Sequence, residues 1–327
     1  MQQHEFINLI ERFAPLHGAA EWDNCGIQIA SPRETLTKVA VALDPTLQTI
    51  NTALHLGADF ILTHHPLYMK PKSLGRLDSF HHVVSQLIGG DVALYSAHTS
   101  LDANADGPVG WLGRELDLYN IDILEQTHSS SLYSFFIFAH SIEHTSLPAI
   151  YNVAHKSGGT VVTFDSADTA PSSALAVIQD ASPEGAVVVE LPQAAGRETL
   201  GLGMIGDLPQ ECSWKELVAL LESKVNRNFW SVCGIRPDRV KRVGYCTGSG
   251  SSLADAAFAR GADVFITGDV KYHGALDTNG CIIDVGHFSL EEEMMKRFAA
   301  LLAKHAPDVE ITFLPGQDPI LLHAVSK

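Results

Sequence analysis

Two adjacent histidines, His64 and His65, end the run Asp59-Phe60-Ile61-Leu62-Thr63 and are followed at once by Pro66. The run reads as a buried strand. It must stop at Pro66, which has no N–H for a ladder and disfavours helix in the residue before it. Side chains alternate across a strand, so neighbouring histidines ordinarily point apart. Where the backbone turns at a strand end, both can reach one site or two adjacent ones. Neutral imidazole is a common metal ligand near physiological pH. The bland alternative is a pair of hydrogen-bonded turn histidines.

Two further stretches share this character. Ala97-His98-Thr99-Ser100-Leu101-Asp102 follows an expected strand at 91–96, and Gly286-His287-Phe288-Ser289-Leu290-Glu291 follows another at 282–285. In each, a carboxylate lies four residues after a histidine, so on a helical turn the two share a face. The stretches belong to an internal repeat. Displaced by 204 positions, Val39 falls on Val243, Ala53 on Ala257, Gly57-Ala58-Asp59 on Gly261-Ala262-Asp263 and Leu62-Thr63 on Ile266-Thr267, without a gap. A displacement of 189 superposes the two His-x-Ser-Leu-acid stretches. Two copies of one strand–helix–strand unit, facing each other, would bring His64, His65, His98, Asp102, His287 and Glu291 to a single cleft. Mixed imidazole and carboxylate donors suit Zn²⁺, Fe²⁺ or Mn²⁺ better than Ca²⁺. A carboxylate can bridge two such ions about 3.5–4 Å apart, a common hydrolytic device. Carboxylate–imidazole pairs that merely hold two lobes together are the alternative.

Strands and helices alternate around these residues. A helix over 4–14 places Phe6, Leu9, Ile10 and Phe13 on one face, and Trp22-Asp23-Asn24 leads into a strand ending near Ile29. Lys38 to Leu43 is a strand, with Asp44 as N-cap and Pro45 as first residue of the helix that ends at Gly57. Further helices are expected near 78–89 and 108–117. The second half offers helices at 214–225, 253–260 and 288–304 and strands at 240–245, 264–266 and 309–314. The pattern predicts βαβ units and a largely parallel or mixed sheet. A glycine–serine loop at 247–252 is rich in backbone N–H groups, but it does not match the phosphate-loop pattern.

The 327 residues allow two domains, or one large domain with an insertion. Hydrophobic residues make up 46 %, which supports a substantial core. A formal net charge of −16 makes the chain a poor candidate for wrapping nucleic acid, which calls for a basic face. Five cysteines, none spaced C-x-x-C, argue against a disulfide framework or zinc knuckle and fit a reducing compartment. No apolar run approaches the roughly 20 residues of a membrane span, and the first residues lack a signal-peptide pattern. A cytoplasmic protein without membrane attachment is expected.

Five motifs occur in order: Trp22-Asp23-Asn24-x-Gly26, Thr63-His64-His65-Pro66, His98-Thr99-x-Leu101-Asp102, Thr267-Gly268-Asp269 with His273, and Gly286-His287-x-x-x-Glu291. Together they resemble the Ngg1p-interacting-factor-like family, the GTP cyclohydrolase I type 2 homologues, over about 1–125 and 198–327. The resemblance implies an α/β protein of two related lobes, 1–128 and 199–327. Between them, at 129–198, it implies an inserted α+β module similar to nitrogen-regulatory-type signalling proteins. In that module strands are expected at 132–138, 160–164, 174–178 and 186–191, and a helix near 147–157.

The resemblance further implies two divalent metal ions held by His64, His65, Asp102, His287 and Glu291, with Glu291 as the bridge. His98, nominated by the repeat, is not among the family's usual ligands and becomes a candidate for moving protons, as does His273. A toroidal homohexamer is implied, with a small-molecule, possibly nucleotide, substrate and a protein partner for the insertion as expectations. Asp269 stands where the family usually has glutamate, Ser100 where it has asparagine, and Gly274 where a polar residue is common. Two functions compete: a metal-dependent hydrolase of the GTP cyclohydrolase type or another nucleotide-directed activity, and a non-catalytic metal-binding scaffold acting through partners.

Overall fold

In a computed structural model, the described residues are 1–138, 150–156, 158–165, 171–182, 186–191 and 197–323. The chain divides into two compact units, one formed by 1–127 with 201–327 and the other by 128–200.

Two sheets build the first unit. In one, β1 (Gly26–Ile29), β4 (Ala93–Ser96), β3 (Phe60–Thr63), β2 (Lys38–Ala42) and β14 (Glu310–Phe313) lie in that order. All pairings are parallel except that of β1 with β4. In the other, β10 (Ser231–Cys233), β13 (Cys281–Asp284), β12 (Val264–Thr267), β11 (Arg239–Tyr245) and β9 (Arg197–Ser213) follow the same plan, with β10 antiparallel to β13. They differ at the far edge, where β9 runs antiparallel to β11 whereas β14 runs parallel to β2.

The repeat is carried by the registers. Val39 pairs with Phe60 across β2 and β3, and Val243 with Val264 across β11 and β12, the same pairing displaced by 204. The turn before each middle strand is also copied. Gly57 and Gly261 both adopt the left-handed region, at φ +76° and +83°, which a glycine accepts at no steric cost. Asp59 Oδ2 then accepts the backbone N–H groups of Thr37 and Lys38 at 2.8 and 3.0 Å, and Asp263 Oδ2 those of Lys241 and Arg242 at 2.7 and 2.8 Å. One carboxylate thus satisfies two N–H groups at the start of a strand, twice over.

Every residue of the middle strands is buried, and successive side chains enter cores on opposite faces. Phe60, Leu62, Val264 and Ile266 join one core with Trp111, Tyr245 and Phe298. Ile61 faces a second core with Ile50, Leu87 and Leu94, and Phe265 a third with Ala257 and Ile282. Both faces of each sheet are therefore covered, as parallel sheets require. Helix α10 (His287–His305) buries Leu290, Met294, Phe298 and Leu302 in the first core, and Trp111 Nε1–H donates to Leu290 O at 3.1 Å. None of the described helices is long and apolar enough to cross a membrane.

In the second unit, residues 132–138 of the long strand β5 (Tyr119–Phe138) pair with β7 (Gly159–Asp165) and β8 (Val187–Leu191), and β7 pairs with β6 (Ile150–Lys156). All these pairings are antiparallel. Tyr133, Phe135, Phe164, Ala174 and Ile178 form its core. Two expectations fail here. Residues 150–156 of the expected helix are strand β6, paired to β7 through a turn at Gly158 with φ +90°; the rest of that span lies outside the described residues. Residues 174–178 belong to a helix, Pro171–Ala181, whose Ala174 and Ile178 lie one turn apart on the buried side. The first unit holds a third correction. Thr46, not Asp44, caps helix α2 (Leu47–His55), its hydroxyl accepting the N–H of Thr49 at 3.1 Å. Asp44 is used elsewhere.

Asp263→Ala leaves two backbone N–H groups without their acceptor. We expect it to lower the unfolding free energy by about 1–3 kcal/mol in urea denaturation, with Asp59→Ala costing a similar amount. A loss within measurement error at both positions would contradict the pairing of the two turns.

Candidate metal centre

The polar residues nominated from sequence, apart from His273, gather at the carboxyl ends of the parallel strands, the edge where open α/β sheets place their ligands. Asp44 follows β2, His64 and His65 follow β3, and α4 (His98–Asp102) follows β4. From the second half, Thr247 follows β11, Asp269 follows β12, and His287 opens α10 after β13. The chain at His64 is fixed on both sides. Its N–H donates to Ala42 O at 3.2 Å, and its carbonyl accepts His98 N–H at 2.9 Å and Ser96 Oγ–H at 2.7 Å.

Glu291 stands at the middle of the cluster, 3 % exposed. Its Oε1 lies 3.4 Å from His64 Nε2. Its Oε2 lies 3.1 Å from His65 Nε2 and 2.8 Å from His287 Nε2. Asp102 Oδ2 lies 3.6 Å from His64 Nε2, while its Oδ1 accepts Thr247 Oγ1–H at 3.1 Å. Three groups of possible ligand atoms result: His64 with Asp102 and Glu291, His65 with His287 and Glu291, and His64 with His65 and His98. The first two share Glu291. His98 thus falls within reach of the cluster, as the repeat alone suggested. His273 does not join these groups; it is exposed on the short helix α9 (Tyr272–Asp277).

Three carboxylates orient three of these imidazoles from behind. His65 Nδ1 meets Asp44 Oδ1, His98 Nδ1 meets Asp23 Oδ1, and His287 Nδ1 meets Asp269 Oδ2, each at 2.7 Å. In each case Nε2 is left as the atom to offer a ligand. Carboxylate–histidine–metal arrangements are built this way, the carboxylate setting tautomer and ring orientation. Asp23 is itself held by the Thr99 N–H at 3.0 Å, by the Thr99 hydroxyl and by Cys25 Sγ at 3.1 Å. Reading the sequence assigned this role to none of the three. The repeat did hold a signal for one: His65 displaced by 204 is Asp269, so a ligand position in one half orients a ligand in the other.

The donor set fits a divalent cation. Both imidazole nitrogens of fully buried His64 lack a hydrogen-bond partner, and so does Glu291 Oε2, whose close approaches to His65 and His287 are not aligned as hydrogen bonds. Buried polar groups without partners are costly, and lone pairs converging on shared points are what an ion would use. Room is made by glycine. A Cβ on Gly248, at φ +60°, would fall 2.1 Å from Glu291 Oε1, and one on Gly268 would fall 2.3 Å from the His287 backbone nitrogen. The glycine–serine loop therefore packs on the cluster, and its Gly250 N–H is taken by Thr267 Oγ1 at 3.0 Å.

Charge follows this geometry. Burial pulls His65 down, but Asp44 and Glu291 outweigh it and push its pKa up to about 10. Burial likewise opposes protonation of His287, while Glu291 and Asp269 push it up to about 9. Burial works to raise Glu291, yet the surrounding imidazoles hold it well below the ordinary carboxylate range. Burial raises Asp102, with Glu291 adding repulsion. Without an ion, protons on the imidazoles do part of its work.

The family model described as Duf34/NIF3 (NGG1p interacting factor 3) matches residues 1–319. A GTP cyclohydrolase 1 type 2 homolog of Halalkalibacterium halodurans is 28 % identical, over 86 % of this chain and 87 % of that protein. One of Staphylococcus aureus is 26 % identical over 92 % and 93 %. The crystal structure of a Bacillus cereus protein related to NIF3 superposes with a TM-score of 0.78 at 25 % identity, over 99 % of both chains.

The raised pKa values of His65 and His287 fix a sign. Stabilisation from protonating them is complete below their ordinary 6.5 and is lost as pH rises through about 9 to 10. Metal-free protein should therefore melt at progressively lower temperature from pH 7 to pH 10, and Asp44→Asn should flatten the fall; a rising melting temperature would contradict the charge assignment. Metal must displace the same protons, so Zn²⁺ affinity should rise with pH across this window in calorimetric titration. At fixed pH, Asp44→Asn and Asp269→Asn should each weaken Zn²⁺ binding about 10- to 100-fold.

Proposed function

Because the chain belongs to the Duf34/NIF3 family, we propose that its cleft is a dinuclear metal centre of a hydrolase acting on a nucleotide or a related heterocycle. The observation that carries this reading is the shared carboxylate. Glu291 reaches His64 with one oxygen and His65 and His287 with the other, so two ligand groups meet on one side chain. His64, Asp102 and Glu291 would hold one ion and His65, His287 and Glu291 the other. Zn²⁺, Fe²⁺ and Mn²⁺ all suit these donors. Two bound ions would supply Lewis-acid activation of an electrophilic carbon or phosphorus and of the water that attacks it.

The chain's own residues supply the rest. Asp44 and Asp269 fix the rings of His65 and His287 by their Nδ1 atoms. Asp23 does the same for His98, and its bonds from Thr99 and His98 hold it below the ordinary carboxylate range against the pull of burial. An ionised Asp23 accepting Nδ1–H leaves His98 Nε2 with a free lone pair beside His64 and His65, whose rings lie 5.2 and 5.6 Å away. From there Nε2 takes a proton from the attacking water and returns it to the leaving atom. Trp22 packs edge-on against His98 at 6.1 Å and shields one side of the ring. The naming of the relatives supports a GTP cyclohydrolase type of reaction; no residue of the site singles out guanine.

The test is turnover of GTP and a panel of other nucleotides by metal-loaded protein. His98→Ala should keep the wild-type metal content and lose about 10²- to 10⁴-fold in rate. Fully loaded wild type that turns over no nucleotide would overturn the substrate class, and His98→Ala at wild-type rate would remove His98 from the chemistry.

A further inference from the structure

A cavity of about 240 Å³ opens beside the cluster and shares His65 and His287 with it. Arg227, Phe288, Asp318 and Ile320 also line it. Pockets for drug-sized ligands run to about 300–1,000 Å³. This one is the size for one end of a substrate, not for a whole nucleotide.

Arg227 is built into this lining. Its side chain is 10 % exposed, and its guanidinium lies 4.2 Å over the Phe229 ring. The backbone beside His287 is shaped around it. A Cβ on Gly286, at φ +91°, would fall 2.2 Å from Arg227 Nη1 and 2.4 Å from Cζ. Gly286 is also where the repeat is broken. Strands β4 and β13 align with a displacement of 188, since Thr63 pairs with Ser96 and Thr267 with Asp284. The histidines that follow align with 189. Ala97 N–H donates to Thr63 O and Val285 N–H to Thr267 O, so the registers hold up to that point and Gly286 is the one extra residue. The second half thus carries an added glycine where a guanidinium presses against the chain next to a candidate metal ligand.

The partner of Arg227 comes from the segment that follows β14. Asp318 Oδ2 accepts Arg227 Nε–H at 3.1 Å, and Asp284 Oδ1 lies 4.0 Å from Nη1. That segment has neither helix nor strand from Leu314 to His323. Gly316 N–H is held by Glu292 Oε1 at 2.6 Å, and beyond Asp318 the chain exposes Ile320, Leu321 and Leu322. A carboxylate on a segment without helix or strand therefore makes a single bond to an arginine whose planar fork suits two.

We propose that Arg227 is the anchor for a phosphoryl group of the substrate, and that Asp318 occupies this place until substrate displaces it. This rests on the reading of the neighbouring cluster as a metal centre. Asp44, Asp269 and Asp318 line the cavity and oppose any anion; a phosphoryl group offsets this better than a carboxylate because it brings a third acceptor oxygen to a guanidinium from which Asp318 now takes only Nε–H. His65 and His287 line the same cavity, so the reacting part of a phosphorylated molecule held at Arg227 would lie beside the cluster.

The test is calorimetric titration with inorganic phosphate, on metal-loaded and chelator-treated protein alike. Wild type, Asp318→Asn, Arg227→Lys and the double variant Asp318→Asn/Arg227→Gln are compared, with melting temperatures to confirm folding. Asp318→Asn should bind phosphate at least about tenfold more tightly than wild type, an effect that the double variant abolishes in both preparations. Arg227→Lys, which keeps the charge without the fork, should fold and bind more weakly than wild type. Unchanged phosphate affinity in Asp318→Asn, or equal affinity in the double variant, overturns the proposal. The chelator-treated arm separates it from the metal reading, since phosphate held only by ions would vanish there in every variant, and that result also overturns the assignment to Arg227.

Discussion

Everything at the strand ends is arranged about one buried carboxylate. Glu291 is 3 % exposed and cannot remain ionised there without compensation, because taking a charge out of water costs several kcal/mol even after relaxation. Its compensation comes from the first half of the chain, through His64 and His65, and from its own helix, through His287 one turn earlier. The two sheets must therefore meet with their carboxyl ends facing, and α10 must enter the core at the angle that Leu290, Met294 and Phe298 dictate. Gly248 and Gly268 are small for the same reason, since a methyl group at either would strike Glu291 or the chain at His287.

The repeat explains how so few elements build the cluster, and its imperfections explain what the cluster can do. The Gly-Ala-Asp turn, its left-handed glycine and the paired N–H bonds of Asp59 and Asp263 are kept in both halves. The chemistry is not kept. His64 and His65 correspond to Gly268 and Asp269, so one half supplies ligands where the other supplies space and an orienting carboxylate. His98 and His287 correspond as well, but Asp23 orients the first and Asp269 the second. The inserted Gly286 and the Arg227 that presses against it have no counterpart in the first half, so the cleft is asymmetric.

Much of this was legible in the sequence because it depends on local periodicity. Strands β3 and β12 could be read from short apolar runs bounded by Gly-Ala-Asp and by polar turns, and α10 from its 3.6-residue pattern. His64 and His65 could be named from the strand end before Pro66, and His98, Asp102, His287 and Glu291 because His-x-x-x-acid after a strand occurs in both halves. The orienting carboxylates could not, since Asp23 reaches His98 and Asp44 reaches His65 across folded loops. Asp44 looked like a helix cap because Pro45 follows it; the cap lies two residues later, at Thr46, which frees the Asp44 side chain. In the second unit, Ile150-Tyr151-Asn152-Val153 and Ala174-Leu175-Ala176-Val177-Ile178 are each short and apolar enough for either structure, and pairing with β7 decided the first as strand.

The most direct measurement is elemental analysis of purified protein after incubation with Zn²⁺, Mn²⁺ or Fe²⁺ and dialysis, with Glu291→Ala alongside. A carboxylate shared by two ligand groups predicts about two ions per chain in wild type and, at equal protein concentration, no more than about one in Glu291→Ala. Wild type that stays free of all three metals, or a Glu291→Ala variant that holds as many ions as wild type, would contradict the account.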